Sequence, residues 1–130
     1  MTDPEVIIKA IDMYMDKMPD MESGNIQTRL DYQERITKGL VKLMKYEAVL
    51  HGDYKLKYQS RRIQEAKSIL KSQESVSRAV AAAPYVCEDQ RREEAKAEAD
   101  LEEIRLYRRS VQHYIETTKQ TNSFLKQELK

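Results

Sequence analysis

The stretch with the clearest chemical character is residues 53–71, where basic side chains are interleaved with tyrosines. Between residues 55 and 71 there are six basic side chains and one acid. Tyr54 and Tyr58 are four residues apart, so both rings lie on one face of a helix. A surface of this kind binds single-stranded nucleic acid without sequence preference, because its cations contact phosphates and its aromatic rings stack on bases. The residues that this pattern assigns to a nucleic-acid-binding surface are Lys55, Lys57, Tyr58, Arg61, Arg62 and Lys67. The alternative is that the tyrosines complete the core and the cations form a solvated face.

The sequence contains few residues that could form a catalytic or metal-binding site. His51 and His113 lie in separate elements, and the chain has neither a Gly-rich phosphate loop nor an HExxH motif. Glu88-Asp89 and Glu93-Glu94 bring carboxylates together, but paired acids on a charged helix most often face solvent. Cys87 is the only cysteine, so it has no internal disulfide partner and fits a reducing compartment. We expect no catalytic residues, no cofactor and no metal site.

Composition indicates one domain built from helices. The chain has 130 residues, enough for one modest core. Charged residues make up 35%, with three Gly, three Pro and no Trp, a profile that favours long solvated helices over a sheet. The acidic start leads into no leader-like apolar run, and no stretch approaches the ~20 apolar residues of a membrane span. We expect an all-α, soluble, cytoplasmic protein with no membrane partner.

The formal net charge of +1 conceals a segregation along the chain. Residues 1–24 carry two basic and six acidic side chains, residues 25–72 carry eleven and five, and residues 73–130 carry ten and eleven. Within the last segment, residues 88–103 are dominated by carboxylates. Blocks of opposite charge suit pairing between subunits, and the alternative is a set of solvated helix faces.

The first of four helical segments, within residues 1–24, is a short acidic helix followed by a loop. It starts with Thr2 or Asp3 as N-cap and Pro4 at its first helical position, and Pro19 ends it. The apolar face of this helix is predicted to consist of Ile8, Ile11, Met15 and Met18.

The second segment, residues 25–72, is predicted to be one very long basic helix. No proline interrupts it, and at about 1.5 Å per residue it would reach roughly 70 Å, so we expect an elongated molecule. Gly52 costs up to about 1 kcal/mol in a helix interior. Beyond it the apolar positions Leu56, Ile63 and Leu70 take a different phase, so we expect a bend or a change of packing there.

The third segment, residues 73–84, is predicted to be a short connecting helix capped by Ser72 or Ser75. Val76, Val80 and Ala83 are expected to face inward, and Pro84 to end the helix. Small residues in this segment allow close backbone approach, so the last helix, within residues 85–130, can fold back along the long one as an αα-hairpin.

The C-terminal helix carries a heptad seam, in which one residue class recurs at alternating steps of four and three. The seam consists of Ala97, Leu101, Ile104, Arg108, Val111, Ile115, Thr118, Asn122, Leu125 and Leu129. We expect it to hold a homo-oligomer by coiled-coil packing, and the alternative is packing against the chain's own helices. The residues assigned to oligomerisation are Leu101, Ile104, Arg108, Val111, Ile115 and Leu125. Arg108 is expected to pair with a carboxylate of a neighbouring helix, with Glu47 as the candidate because it interrupts the stripe between Leu43 and Leu50.

The order of these parts resembles that of the UvsY-type recombination mediators of tailed phages. The resemblance covers roughly residues 26–129: a long basic helix with an Asp-Tyr-Lys-Leu-Lys patch, a short capped helix, and a heptad-bearing terminal helix. It implies a ring assembled through the C-terminal region that binds single-stranded DNA in the host cytoplasm and loads a recombinase in place of single-strand binding protein. By position, it assigns DNA contact to Lys55, Lys57, Arg61 and Arg62, and assembly to Leu101, Ile104, Val111 and Ile115.

The functional hypothesis is therefore a non-enzymatic recombination mediator that binds single-stranded DNA, with a recombinase and single-strand binding protein as implied partners. The alternative is a helical adaptor or phage assembly protein that acts through coiled-coil packing, with the basic helix only a solvated face.

Overall fold

The computed structural model describes residues 3–128 and is all-helical in that range. Four α-helices follow one another: α1 (Pro4–Asp16), α2 (Ile26–Lys71), α3 (Val76–Val86) and α4 (Glu88–Glu128). One turn of 3-10 helix, Ser23–Asn25, precedes α2. The all-α prediction and the very long second helix, 46 residues, are confirmed. The oligomer, the coiled coil and the elongated form stay predictions.

The helices form two compact units. The first contains the chain up to Glu47 together with the chain from Ile104 onward, and the second is Ala48–Glu103. Helix α2 passes from the first unit to the second between Glu47 and Ala48 and continues unbroken through Gly52. Helix α4 returns to the first unit at Ile104. The prediction of a single domain stays a prediction.

Helix α1 begins as its sequence predicts. The Asp3 Oδ1 atom accepts a hydrogen bond from the Glu5 backbone N–H at 2.9 Å, so Asp3 is the N-cap, and Pro4 is the first helical residue. Thr2, the other candidate, lies outside the described residues. The buried face differs from the prediction, because Ile7 and Ile11 are buried while the predicted Ile8, Met15 and Met18 are only half-buried.

The core of the first unit is built from α1, the first half of α2 and the second half of α4. Ile11 lies against α2 at Gly39, where a Cβ atom would come within 2.8 Å of the Ile11 Cγ1 atom. The buried apolar side chains of this unit are Ile7, Ile11, Ile36, Leu40, Leu43, Ile104, Val111, Ile115 and Leu125. Tyr14 and Tyr32 pack edge to face at 5.1 Å between ring centroids.

The second unit has a smaller core, made mostly of small side chains. Its buried residues are Ala79, Ala83, Cys87, Ala97 and Leu101. The prediction that Val76 and Val80 face inward is wrong, since both are exposed and Ala79 and Ala83 are buried instead. Alanines at this position let α3 approach its neighbours more closely than valines would.

One further sequence expectation in the second unit needs correction. Pro84 does not end α3, which continues to Val86, and the Cys87 backbone N–H donates to the Ala83 carbonyl at 3.1 Å. Leu56, Ile63 and Leu70, the apolar positions of different phase beyond Gly52, are all exposed.

Candidate nucleic-acid interface

The predicted nucleic-acid-binding residues lie on α2 in the second unit, and most of them are exposed. Lys55, Arg62 and Lys67 are exposed, and Lys57 is half-buried. The Lys57 Nζ atom lies 3.3 Å from the Asp53 carboxylate one helical turn earlier, a solvent-screened pair that contributes little to stability.

Arg61 differs from the other predicted contact residues because it points towards α4. Its guanidinium forms a short ion pair with Glu94, and its Nη1 atom lies 3.2 Å from the Glu65 carboxylate. The Arg61 side chain is only 15% exposed. The hydrogen bond with Glu94 raises the pKa of Arg61, while burial acts in the opposite direction. Arg61 therefore joins α2 to α4 and has little capacity left for a phosphate.

Glu65 extends this network to a second arginine. It also accepts a hydrogen bond from the Arg91 Nε atom of α4 at 2.7 Å, and its side chain is 17% exposed. Two arginines and two carboxylates are thus arranged between the helices, with Arg61 and Glu65 at the centre. A network of this kind fixes how the helices meet and leaves the outward face of α2 to the remaining cations.

The two tyrosines of the patch do not have equivalent surroundings. Tyr54 is half-buried; burial raises its pKa, and the carboxylates of Glu98 and Glu94 add to the effect. Tyr58 is exposed, and the guanidinium carbons of Arg61 and Arg62 lie 5.2 and 5.7 Å from its ring centroid. Only Tyr58 therefore presents a ring that a base could reach.

A groove of about 530 Å³ lies beside this surface, between α2, α3 and the start of α4. Its polar lining residues are Gln64, Lys67, Ser68, Lys71, Ser72, Glu74 and Gln90. Lys71 was not among the predicted contact residues, although it follows Lys67 by one helical turn and each lysine precedes a serine. Two lysines against one carboxylate give the groove a net positive lining, and with two hydroxyls beside them the lysines can bind an anionic oxygen.

The heptad seam of α4 is buried by the chain's own helices. The seam positions Ala97, Leu101, Ile104, Val111, Ile115, Thr118, Asn122 and Leu125 are all buried, and Leu129 lies outside the described residues. The residues assigned to oligomerisation are thus covered within one chain, and a second copy would reach them only if the helices separated. Their role in assembly stays a prediction.

The polar seam residues bind partners on α2. The Arg108 Nε atom donates to both Glu47 carboxylate oxygens, at 3.1 and 2.8 Å, which confirms the expected pair. The Asn122 Oδ1 atom accepts from the Arg29 Nε atom at 2.8 Å, and the Asn122 amide donates to Gln33 at 2.7 Å. These bonds satisfy polar groups in a buried seam and so fix its register.

Comparisons with protein-family models, with curated proteins and with solved structures find no match for this chain. Nothing in these comparisons adds a residue to the surface described above. Within residues 3–128, no group of three or more His, Cys, Asp or Glu side chains is placed to hold a metal ion. In the same range, no helix has the length and apolar character needed to cross a membrane.

Proposed function

We propose that this chain is a non-enzymatic protein that binds single-stranded DNA and acts as a recombination mediator, helping a recombinase load onto the strand. The observation that supports the proposal is the outward face of α2. Four exposed cations flank it, Lys55 and Arg62 on one side together with the exposed ring of Tyr58, and Lys67 and Lys71 on the other. We call these five residues the α2 basic surface.

The chemistry of binding follows from the order of these groups along the helix. Lys55, Tyr58 and Arg62 lie at successive steps of three and four, so the ring stands between two cations. A base that stacks on Tyr58 would keep its flanking phosphates within reach of those cations. Lys67 and Lys71 lie further along the helix on its other flank, where they border the groove with its serines. Contacts to phosphates and to the face of any base give affinity without sequence preference.

The mediator role adds two protein partners to the strand. A recombinase and single-strand binding protein are the partners that the resemblance to UvsY-type mediators implies. A mediator of this kind would hold the strand weakly and at many points, so that single-strand binding protein is displaced and a recombinase can follow. Repetition of the α2 basic surface in an oligomer that leaves this surface exposed would raise the effective affinity of each weak site.

A salt titration of strand binding tests the DNA part of the proposal. We expect the affinity for a single-stranded oligonucleotide to fall with salt by about 0.7 log units per phosphate contact per log unit of salt. Replacing Arg62 and Lys67 with Gln removes two contacts and should lower that slope by about 1.4. Arg61 is unsuitable for this test because its loss would break the bridge to Glu94.

The matched control changes the same amount of charge elsewhere. Lys9 and Lys119 are exposed lysines of the first unit, and replacing both with Gln should leave the slope unchanged if binding is local to α2. Tyr58→Ala should weaken binding by about 1 to 3 kcal/mol at every salt concentration. Equal loss in the control and in the Arg62 and Lys67 variant would contradict a local site, and absence of salt-sensitive binding would reject the proposal.

The mediator part has its own assay. With strand pre-coated by single-strand binding protein, the chain should shorten the lag before a recombinase filament forms, and the Arg62 and Lys67 variant should lose that effect. Strand binding without any change in the lag would leave a DNA-binding protein that is not a mediator.

A second candidate function, a helical adaptor, is favoured by a different observation. Leu56, Ile63 and Leu70 are more than half exposed along α2, although large apolar side chains usually find a partner. An adaptor would use this surface to bind another helix, and the cations beside it would then serve protein contact. Failure of strand binding would make this the preferred function.

A further inference from the structure

A line of exposed apolar side chains runs along the second half of α2. Val49, Leu56, Ile63 and Leu70 are seven residues apart, and 51%, 68%, 54% and 84% of their surfaces are exposed. Seven-residue spacing on an α-helix keeps side chains on one face over several turns, which is the pattern of a helix that packs lengthwise against another. We call these four residues the apolar stripe. Within the second unit this face has no helix against it, so it is a candidate contact surface.

The charges beside the apolar stripe indicate what can cover it. Lys55 and Arg62 lie along one edge, and Lys67 lies along the other. Within residues 3–128 none of the three has an ion-pair partner. Two copies that met stripe to stripe in parallel would bring Arg62 of one chain opposite Lys67 of the other, which is repulsive. The face that covers the apolar stripe should therefore be acidic.

Such an acidic face occurs on α4 of the same unit. Ala95 and Ala99 are exposed on its outward side, at a step of four. Arg92 and Lys96 are exposed beside Ala95, and exposed carboxylates flank Ala99, namely Glu98 and Glu102 along one edge and Glu103 along the other. We call the two alanines and these three glutamates the acidic face. Residues 88–103 as a whole carry eight acids and three bases, whereas residues 48–71 carry six bases and two acids.

The sizes of the side chains on the two surfaces are also complementary. Leucine and isoleucine side chains project from the apolar stripe, and alanines line the acidic face, so large residues would fill the space above small ones. Such pairing allows two helix axes to approach to the short end of the usual range of about 8–10 Å. Both surfaces are exposed on the same unit, so neither one covers the other within a single chain.

We propose that the apolar stripe of one copy docks on the acidic face of a second copy. Lys55, Arg62 and Lys67 then meet Glu98, Glu102 and Glu103 across the interface, and Leu56 and Ile63 pack on the alanines. The interface is heterologous, because each copy contributes a different surface to each of its two contacts. A pair of chains therefore retains one unused stripe and one unused acidic face, and further copies add until a ring closes or a filament extends.

This interface differs from the seam of α4 in what it requires of the chain. The seam residues are buried in one chain, whereas the apolar stripe and the acidic face are already exposed. Assembly through them needs no opening of either unit. The interface goes beyond the proposed DNA binding and uses Lys55, Arg62 and Lys67, three residues of the α2 basic surface, so a docked copy and a DNA strand compete for that surface. Assembly is measured without DNA, so its absence leaves the proposed strand binding untouched.

Two variants that each remove one surface provide the test. Leu56→Glu with Ile63→Glu removes the apolar stripe, and Ala99→Arg with Glu102→Arg removes the acidic face. Mass photometry and sedimentation velocity at low salt should show assemblies of the unmodified chain and single chains of either variant. Mixed in equal amounts, the two variants should form complexes of two chains and nothing larger, since each retains the surface that the other has lost.

The control replaces exposed apolar residues outside the stripe. Val76 and Val80 on α3 are 73% and 52% exposed, fractions similar to those of Leu56 and Ile63. Changing Val76 and Val80 to Glu should leave assembly intact. Circular dichroism should show that all variants keep the helix content of the unmodified chain. The proposal is overturned if the unmodified chain stays single at high micromolar concentration, or if the variant without the acidic face still forms pairs, which would mean stripe-to-stripe contact. It is also overturned if the mixed variants fail to pair.

Discussion

The ion pair between Arg108 of α4 and Glu47 of α2 allows a quantitative test of how the first unit is held together. The Arg108 Nε atom reaches both carboxylate oxygens, and its Nη1 atom donates to Gln112 Oε1 at 2.8 Å. The side chains of Arg108 and Glu47 are 19% and 14% exposed. Arg105 approaches the same carboxylate, with its Nε atom 3.6 Å away. Glu47 thus neutralises two guanidinium groups, whereas Arg108 has one carboxylate.

This asymmetry sets the size of the expected effects. Breaking a buried pair by removing one partner costs about 3–5 kcal/mol, and an exposed pair contributes about 0–1 kcal/mol. In Arg108→Ala, Glu47 keeps Arg105 as a counter-ion, so we expect a loss of about 2 kcal/mol in the free energy of unfolding. In Glu47→Gln, two arginines lie close together without a carboxylate, so we expect a loss of about 3 kcal/mol in the free energy of unfolding. Leu at both positions should be close to neutral, because no charge is then left buried without its partner.

A double-mutant cycle by chemical denaturation measures the coupling between the two residues. The free energies of unfolding of Arg108→Leu, Glu47→Leu and the double variant should give a coupling energy of about 1–3 kcal/mol, with an unchanged denaturant slope. Additivity within about 0.5 kcal/mol would refute the pair as an energetic contact. A larger loss in Arg108→Ala than in Glu47→Gln would refute the role given to Arg105.

Two other changes in the first unit and one in the second test separate features of the fold. Gly39→Ala should lower the free energy of unfolding, because overpacking against the buried Ile11 costs about 1–3 kcal/mol and outweighs the helix-propensity gain of about 1 kcal/mol. Gly52→Ala meets no atom within 4 Å and should instead stabilise by up to about 1 kcal/mol; equal effects in the two denaturation curves would contradict this account. Tyr107 is partly buried and donates to the Asp12 carboxylate at 2.7 Å, and burial first, then this hydrogen bond, raises its pKa. The folded chain therefore keeps the Tyr107 proton to a higher pH than the unfolded chain, so its contribution to stability is present below about pH 10 and lost as the pH rises further. The unmodified chain should have a higher free energy of unfolding than Tyr107→Phe, and this difference should shrink above about pH 10. A difference that stays constant from neutral to alkaline pH in denaturation experiments would contradict this expectation.

Much of the helical framework could be predicted from the sequence because its signals are local. Asp3 and Pro4 define the start of α1, and the unbroken run after Asn25 predicts α2 to within a residue or two. Of the nine positions of the heptad seam that the structure describes, eight are buried and Arg108 is half-buried, so the heptad steps of α4 identified the buried stripe. The Arg108–Glu47 pair followed from two interruptions of apolar stripes, since a charge in a buried seam needs a counter-charge opposite.

The tertiary structure decided which surfaces those helices bury. In the second half of α2 the apolar periodicity marked Leu56, Ile63 and Leu70, and these are exposed. The face of α2 that contacts α4 instead carries Arg61, which forms an ion pair with Glu94. An apolar stripe in a sequence shows which side of a helix can be buried, but, unlike a lone charge in a seam, it does not show which residues lie opposite. For the same reason the sequence was consistent both with packing of the α4 seam against a second copy and with packing against the chain's own helices. That choice depends on contacts between residues more than sixty positions apart, such as those of Arg29 with Asn122 and Glu47 with Arg108, and these exist only once the chain has folded.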